Sequence, residues 1–193
     1  PRLATSVVDT VRRHPVMLAQ SALTLSHLST GRFILGLGAG ERENLTPYGF
    51  DDRATVSRFA EAVRLIRLLW SAEGPVDFEG EFFTLEHARL DAEPHDTGPP
   101  PIWIGANGPR MLRLVGELGD GWWPTGSAGP QTYATQLACI REAAEQAGPT
   151  LLEAEQQELV QPQPPAFAGV EGFEPGADLL EAGVGRGDHS NFT

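Results

Sequence analysis

The sequence predicts an α/β fold built on parallel strands, on three observations. Two continuous apolar runs, Phe33 to Leu37 and Ile102 to Ala106, read as strands buried on both faces. Apolar residues then recur at three-to-four spacing, the signature of helices packed on one side. This strand-then-helix order occurs four times, and parallel neighbours require such crossover connections.

Leu3 to Val8 is rich in β-branched residues and is the first expected strand. Pro15, tolerated in a first helical turn, opens a helix with Leu18, Ala19, Ala22, Leu25 and Leu28 along it, ended by Thr30-Gly31. The run Phe33 to Leu37 ends in glycines, and a polar loop is expected from Glu41 to Arg53. Val56, Phe59, Val63, Ile66 and Trp70 form the stripe of a second helix. Val76-Asp77-Phe78 and Phe82 to Leu85 flank Glu79-Gly80-Glu81, as a small hairpin appended to the main architecture. Pro99-Pro100-Pro101 stiffens the entry to the strand Ile102 to Ala106. Gly108-Pro109 opens a third helix to about Leu118, Gly119-Asp120-Gly121 turns into Trp122-Trp123, and Tyr133 to Ala147 is a fourth helix. Residues 1–147 are thus expected to form the folded domain and 148–193 an irregular tail. Leu151 to Val160 could add one helix, but Gln161 to Gly176 carries Pro162, Pro164, Pro165 and Pro175 among small residues.

Composition narrows the function. The chain of 193 residues is 40% hydrophobic and 21% charged, enough apolar material for one sizeable core. A formal net charge of -12 repels phosphate backbones and anionic membranes, so no nucleic acid or membrane partner is expected. Cys139 is the only cysteine, which leaves no intrachain disulfide and suits a reducing cytoplasm. Pro1 to Val8 lacks the basic-then-apolar order of a signal peptide. The chain opens on Pro1 without an initiator Met, as if residues upstream had been removed.

Three segments could carry chemistry. Gly36-Leu37-Gly38-Ala39-Gly40-Glu41 closes a buried strand, where glycines admit a ligand or simply make a tight turn. It is not the dinucleotide fingerprint, since Glu41 stands where the third glycine of G-x-G-x-x-G would be. Gly105-Ala106-Asn107-Gly108-Pro109 again leads from a strand into a helix, whose free amides could bind an anion with help from Arg110 and Arg113, or form a plain connection. Thr5-Ser6-Val7 ends the first strand, where a flat ring could lie against the backbone. Their common address at C-terminal strand ends is where parallel α/β barrels place their sites. A carboxylate at Glu41, desolvated in such a mouth, could serve as a general acid, or it could pair with Arg32 or Arg42. His14 and His27 flank the first helix, where capping and packing suit them better than catalysis, and neither has metal-ligand company. Trp103, Trp122 and Trp123 suit the core more than a stacking platform.

Taken together, Thr5-Ser6-Val7, Arg13-His14-Pro15 with Ala19-Gln20, and Leu28 to Glu41 resemble the luciferase-like superfamily, and within it the oxidoreductases that use coenzyme F420. Leu69-Trp70, Val76 to Phe83, Pro101 to Ala106 and Gly119 to Trp122 extend the likeness over residues 1 to about 147. The resemblance implies a (β/α)8 barrel and hydride transfer between a deazaflavin and an organic substrate. It places a non-proline cis peptide at Ser6-Val7 under the ring, Gly38, Ala39 and Gly40 along the cofactor, and Ala106, Asn107, Gly108 and Pro109 at its phosphate side. Glu41 matches a proposed proton donor. Homodimers are frequent in the family.

A full barrel needs about 200–250 residues, so the chain is expected to supply about four central βα units, half a barrel, as a gene fragment, a truncated reading frame or a portion of a longer protein. The Asp/His pair that the family carries near the ring has no counterpart here. Two other functions stay open: an FMN-dependent monooxygenase of the same superfamily, and a non-catalytic flavin-binding remnant.

Overall fold

The computed structural model describes residues 1–124 and 129–148. The expected irregular tail and its optional helix at 151–160 lie outside the described residues. The strands are β1 (Leu3–Ala4), β2 (Val8–Asp9), β3 (Phe33–Gly38), β6 (Ile102–Gly105) and β7 (Gly121–Trp123), all parallel, in the order β1-β3-β6-β7 with β2 also on β3. The crossover helices are α1 (Pro15–Leu28), α3 (Thr55–Ser71) and α4 (Pro109–Leu118), with a short α2 (Arg42–Leu45) after β3 and a further helix α5 (Pro130–Ala147) after β7. Strands β4 (Val76–Glu79) and β5 (Thr84–Ala88) make the antiparallel hairpin.

Pairing fixes which side chains share a face, because neighbours in register point the same way. Leu35 lies beside Ile102 and Leu37 beside Ile104, and these residues are buried under the helices. Their partners in the core are Leu18, Ala19, Ala22 and Leu23 from α1, Phe59, Val63 and Ile66 from α3, and Leu112 and Val115 from α4. The intervening residues Gly36, Gly38, Trp103, Gly105 and Trp123 occupy the opposite face of the sheet. The Trp103 and Trp123 rings meet there, 5.6 Å apart.

Two expectations are corrected. Leu3 to Val8 is not one strand: the chain leaves the ladder between Ala4, opposite Ile34, and Val8, opposite Leu37, where the Ser6-Val7 peptide is cis, so four residues of this segment span three of β3. Thr5 bridges the gap, its Oγ1 accepting from Gly36 N and donating to Gly36 O, both at 2.9 Å. The polar segment 41–53 is likewise not all loop, since Leu45 is fully buried and anchors α2 and the 3-10 turn Thr46–Tyr48.

Tertiary clips hold the strand order. Asp120, just before β7, accepts from Ile102 N at 2.7 Å and pairs with Arg67 of α3 at 2.9 Å. Arg67 also donates to Leu118 O, tying α3 to the end of α4. His14 caps α1 through Val16 N, and His27 meets the Glu93 carbonyl at 2.9 Å, so both histidines serve structure.

Candidate active site

The C-terminal ends of β2, β3 and β6 surround a cleft of about 360 Å³. Ser6 and Val7 form one wall, Gly38, Ala39, Gly40 and Glu41 the base, and Ala106 and Asn107 the far side. The glycine-rich segments after β3 and β6 therefore converge on a single rim, because β3 and β6 are adjacent and parallel. Gly108 and Pro109 stand outside this lining, as the N-cap and first residue of α4.

Each segment is held in place from behind. Gly40 has φ of 89°, a conformation that favours glycine, and it turns the chain into α2. The Ala106 carbonyl accepts from the Trp122 indole at 2.9 Å, and the Asn107 carbonyl accepts from Gln136 of α5 at 3.1 Å. Trp122 in turn stacks on Tyr133, with centroids 5.0 Å apart, so that tryptophan supports the rim as well as the core.

Asp9, Arg12, Asn44, Gly105 and Met111 also line the cleft, and of these only Gly105 was singled out from sequence. Asp9 is buried, accepts from Val11 N and Arg12 N, and pairs with the Arg12 guanidinium at 2.6 Å. Burial would raise its carboxyl pKa, but the hydrogen bonds and charge of Arg12 outweigh this and hold it below the ordinary carboxylate value. The signal available was Asp9-Thr10 directly after a β-branched run, an Asx-turn pattern.

Glu41 departs from both readings of it. Its carboxylate is exposed and accepts from Asn44 Nδ2 at 3.2 Å, so the desolvation expected around it is absent. Neither expected arginine pairs with it: Arg42 pairs with Asp52 at 2.7 Å, and Arg32 donates to the Ser29 and Pro1 carbonyls. Arg110 does not face the cleft site either, being bonded to Ser57 Oγ of α3. Among the described residues no cluster of three or more metal-ligating side chains occurs, and no helix is long and apolar enough to cross a membrane.

A profile of the luciferase-like monooxygenase family matches residues 2–159. The chain belongs to that family. It is 43% identical over 148 residues to the phthiodiolone/phenolphthiodiolone dimycocerosates ketoreductase of Mycobacterium bovis, covering 76% of this chain and 39% of that protein. It is 40% identical over 156 residues to the F420-dependent glucose-6-phosphate dehydrogenase of Nakamurella multipartita, covering 78% and 45% respectively. An F420-dependent secondary alcohol dehydrogenase, solved with an F420-acetone adduct, superposes with a TM-score of 0.70 at 30% identity, covering 77% of this chain and 46% of the other. The chain thus spans less than half the length of these relatives, and its parallel βα units form a partial luciferase-like barrel.

Proposed function

We propose that the cleft holds the ring of coenzyme F420 and that the family member containing this chain interconverts a carbonyl and a secondary alcohol. The convergence of Gly38 to Glu41 with Ala106 and Asn107 on one rim, facing Ser6-Val7, carries the reading. The floor suits a flat ring because it is backbone and small side chains; a Cβ at Gly38 would already come 2.9 Å from Val7 Cγ2. Relatives named for a ketoreductase and for F420-dependent alcohol and sugar-phosphate dehydrogenases support the same chemistry.

When bound, the deazaflavin supplies or accepts the hydride at substrate carbon. The rest falls to the protein. Ser6, Val7 and Gly38 would flank the ring, and Ala106 and Asn107 would hold the side of the cofactor next to the start of α4, where Gly108 and Pro109 lie just beyond the cleft lining. The Glu41 carboxyl delivers the proton that a carbonyl oxygen takes up on becoming a hydroxyl, oriented by Asn44. Asp9, ionised and locked to Arg12, shapes the wall and stays out of proton transfer. The lone Cys139 is in keeping with a cytoplasmic setting.

Equilibrium titration of the protein with F420 and, separately, with FMN tests the reading. Saturable F420 binding weakened by Gly38→Val supports it. Tight binding of FMN without any of F420 overturns it in favour of a monooxygenase, and binding of neither leaves no cofactor role for the cleft.

A further inference from the structure

The rim segment after β6 is held by side chains from two other elements. The Ala106 carbonyl accepts from the Trp122 indole of β7 at 2.9 Å, and the Asn107 carbonyl accepts from Gln136 Nε2 of α5 at 3.1 Å. Tyr133 lies three residues before Gln136, on the same helix face, and stacks on Trp122. One helix therefore reaches both carbonyls, one directly and the other through a ring. That helix is itself fixed, because α4 and α5 approach so closely that Gly116 has no room for a Cβ against the Ile140 carbonyl. A trans peptide points its N–H opposite to its C=O. Ser6-Val7 is the one cis bond among the described residues, so the peptide that gives its oxygen to Gln136 turns the Gly108 N–H away from α5. Among the described residues that N–H has no hydrogen-bond partner. Gly108 has φ of -79°, and no described atom stands within 4 Å of where its Cβ would be, so neither packing nor a side chain of its own opposes rotation of this peptide.

We infer that Gln136 and Trp122 are positioning residues for the cofactor. Gln136 holds the Asn107–Gly108 peptide so that its N–H is offered on the cofactor side, and Trp122 fixes the plane of the peptide before it. The inference rests on the cleft being the F420 site. It gives α5 a part in binding although none of its residues lines the cleft. Without the Gln136 amide the Asn107–Gly108 peptide is free to turn over, since a glycine tolerates the positive φ that results. Its carbonyl then takes the place of its N–H, and an acceptor stands where the cofactor meets a donor.

Equilibrium titration of the full chain and its variants with F420 tests this. Gln136→Leu keeps most of the volume and removes the donor, while Trp122→Phe keeps a ring on Tyr133 and removes the indole N–H. Each should raise the F420 dissociation constant about five- to tenfold, the worth of one neutral hydrogen bond, with helical circular dichroism kept. A double-mutant cycle separates positioning from plain support. In a Gly108→Ala background the Cβ resists the turned-over peptide, so Gln136→Leu should cost less affinity there than in the wild type, whereas a merely structural clip would cost the same in both. A wild type that binds no F420 overturns the cofactor reading and this inference together. A wild type that binds it while either single variant binds as tightly, or a loss of affinity that Gly108→Ala does not diminish, overturns the inference alone.

Discussion

The Thr5 hydroxyl bonds both backbone groups of Gly36, filling the gap that the chain leaves between β1 and β2. Gly36 has no room for a side chain, since a Cβ there would run into the Thr5 carbonyl oxygen. Thr5→Val keeps the shape and strips both bonds, so it should cost about 1–3 kcal/mol, the penalty for orphaned buried backbone groups. Gly36→Ala must push strands apart and should cost about 3 kcal/mol or more. Urea denaturation of the three proteins checks the ranking, and Gly36→Ala proving the milder change would contradict the close approach.

The hairpin depends on one carboxylate. Glu61 of α3 accepts from the backbone N–H groups of Glu81, Phe82 and Phe83 at 2.9 to 3.0 Å. Its neighbour Arg58 lies over the Phe82 ring, 4.9 Å from the centroid. Glu61→Ala should therefore release β4 and β5 from α3, at a cost of about 2 kcal/mol for charged hydrogen bonds. Amide exchange at residues 81–83 should accelerate well before that of β3. Unchanged exchange there would mean that the turn holds itself.

The acid limb of stability should follow Asp9. Its folded-state pKa is depressed because the Arg12 hydrogen bonds outweigh burial, so the pair contributes fully above the unfolded value of about 3.9 and is lost as pH falls through the lower folded one. Arg12→Ala should bring the carboxyl up and flatten the dependence below about pH 4. His14 adds a second window: burial lowers its pKa, the unfolded chain binds the extra proton, and stability therefore rises with pH up to the ordinary value of 6.5. Thermal melts of the wild type, Arg12→Ala and His14→Gln across pH 2 to 8 separate the two groups.

What the sequence made legible and what it hid divide by range. Helix α3 was readable because Val56, Phe59, Val63, Ile66 and Trp70 recur at a local period, and the glycine-ended β3 because an apolar run cannot face water. The rim's convergence was readable too, since parallel strands put all their C-terminal ends on one side. The clips were not: Glu61 reaches a turn twenty residues on, and Arg67 and Asp120 meet across fifty-three. No periodicity encodes such contacts. Glu41 shows a related limit, since its exposure depends on α2, and α2 is set by the burial of Leu45 within a stretch whose polar composition reads as loop.

That exposure sharpens the last expectation. Glu41 lines the cleft and its carboxylate accepts one hydrogen bond, from Asn44, so under the proposed reaction its part is with the proton and not with the ring. Glu41→Gln preserves the volume and the hydrogen bond while removing the acid. Under the proposed reaction it should lower kcat about 10²- to 10⁴-fold, the usual worth of a positioned proton donor, with the F420 dissociation constant unchanged. Asn44→Ala should produce a smaller fall in kcat, because it frees the carboxyl without deleting it. If Glu41→Gln instead weakens F420 binding and leaves the turnover of bound cofactor intact, the residue belongs to the cradle and the proton comes from elsewhere.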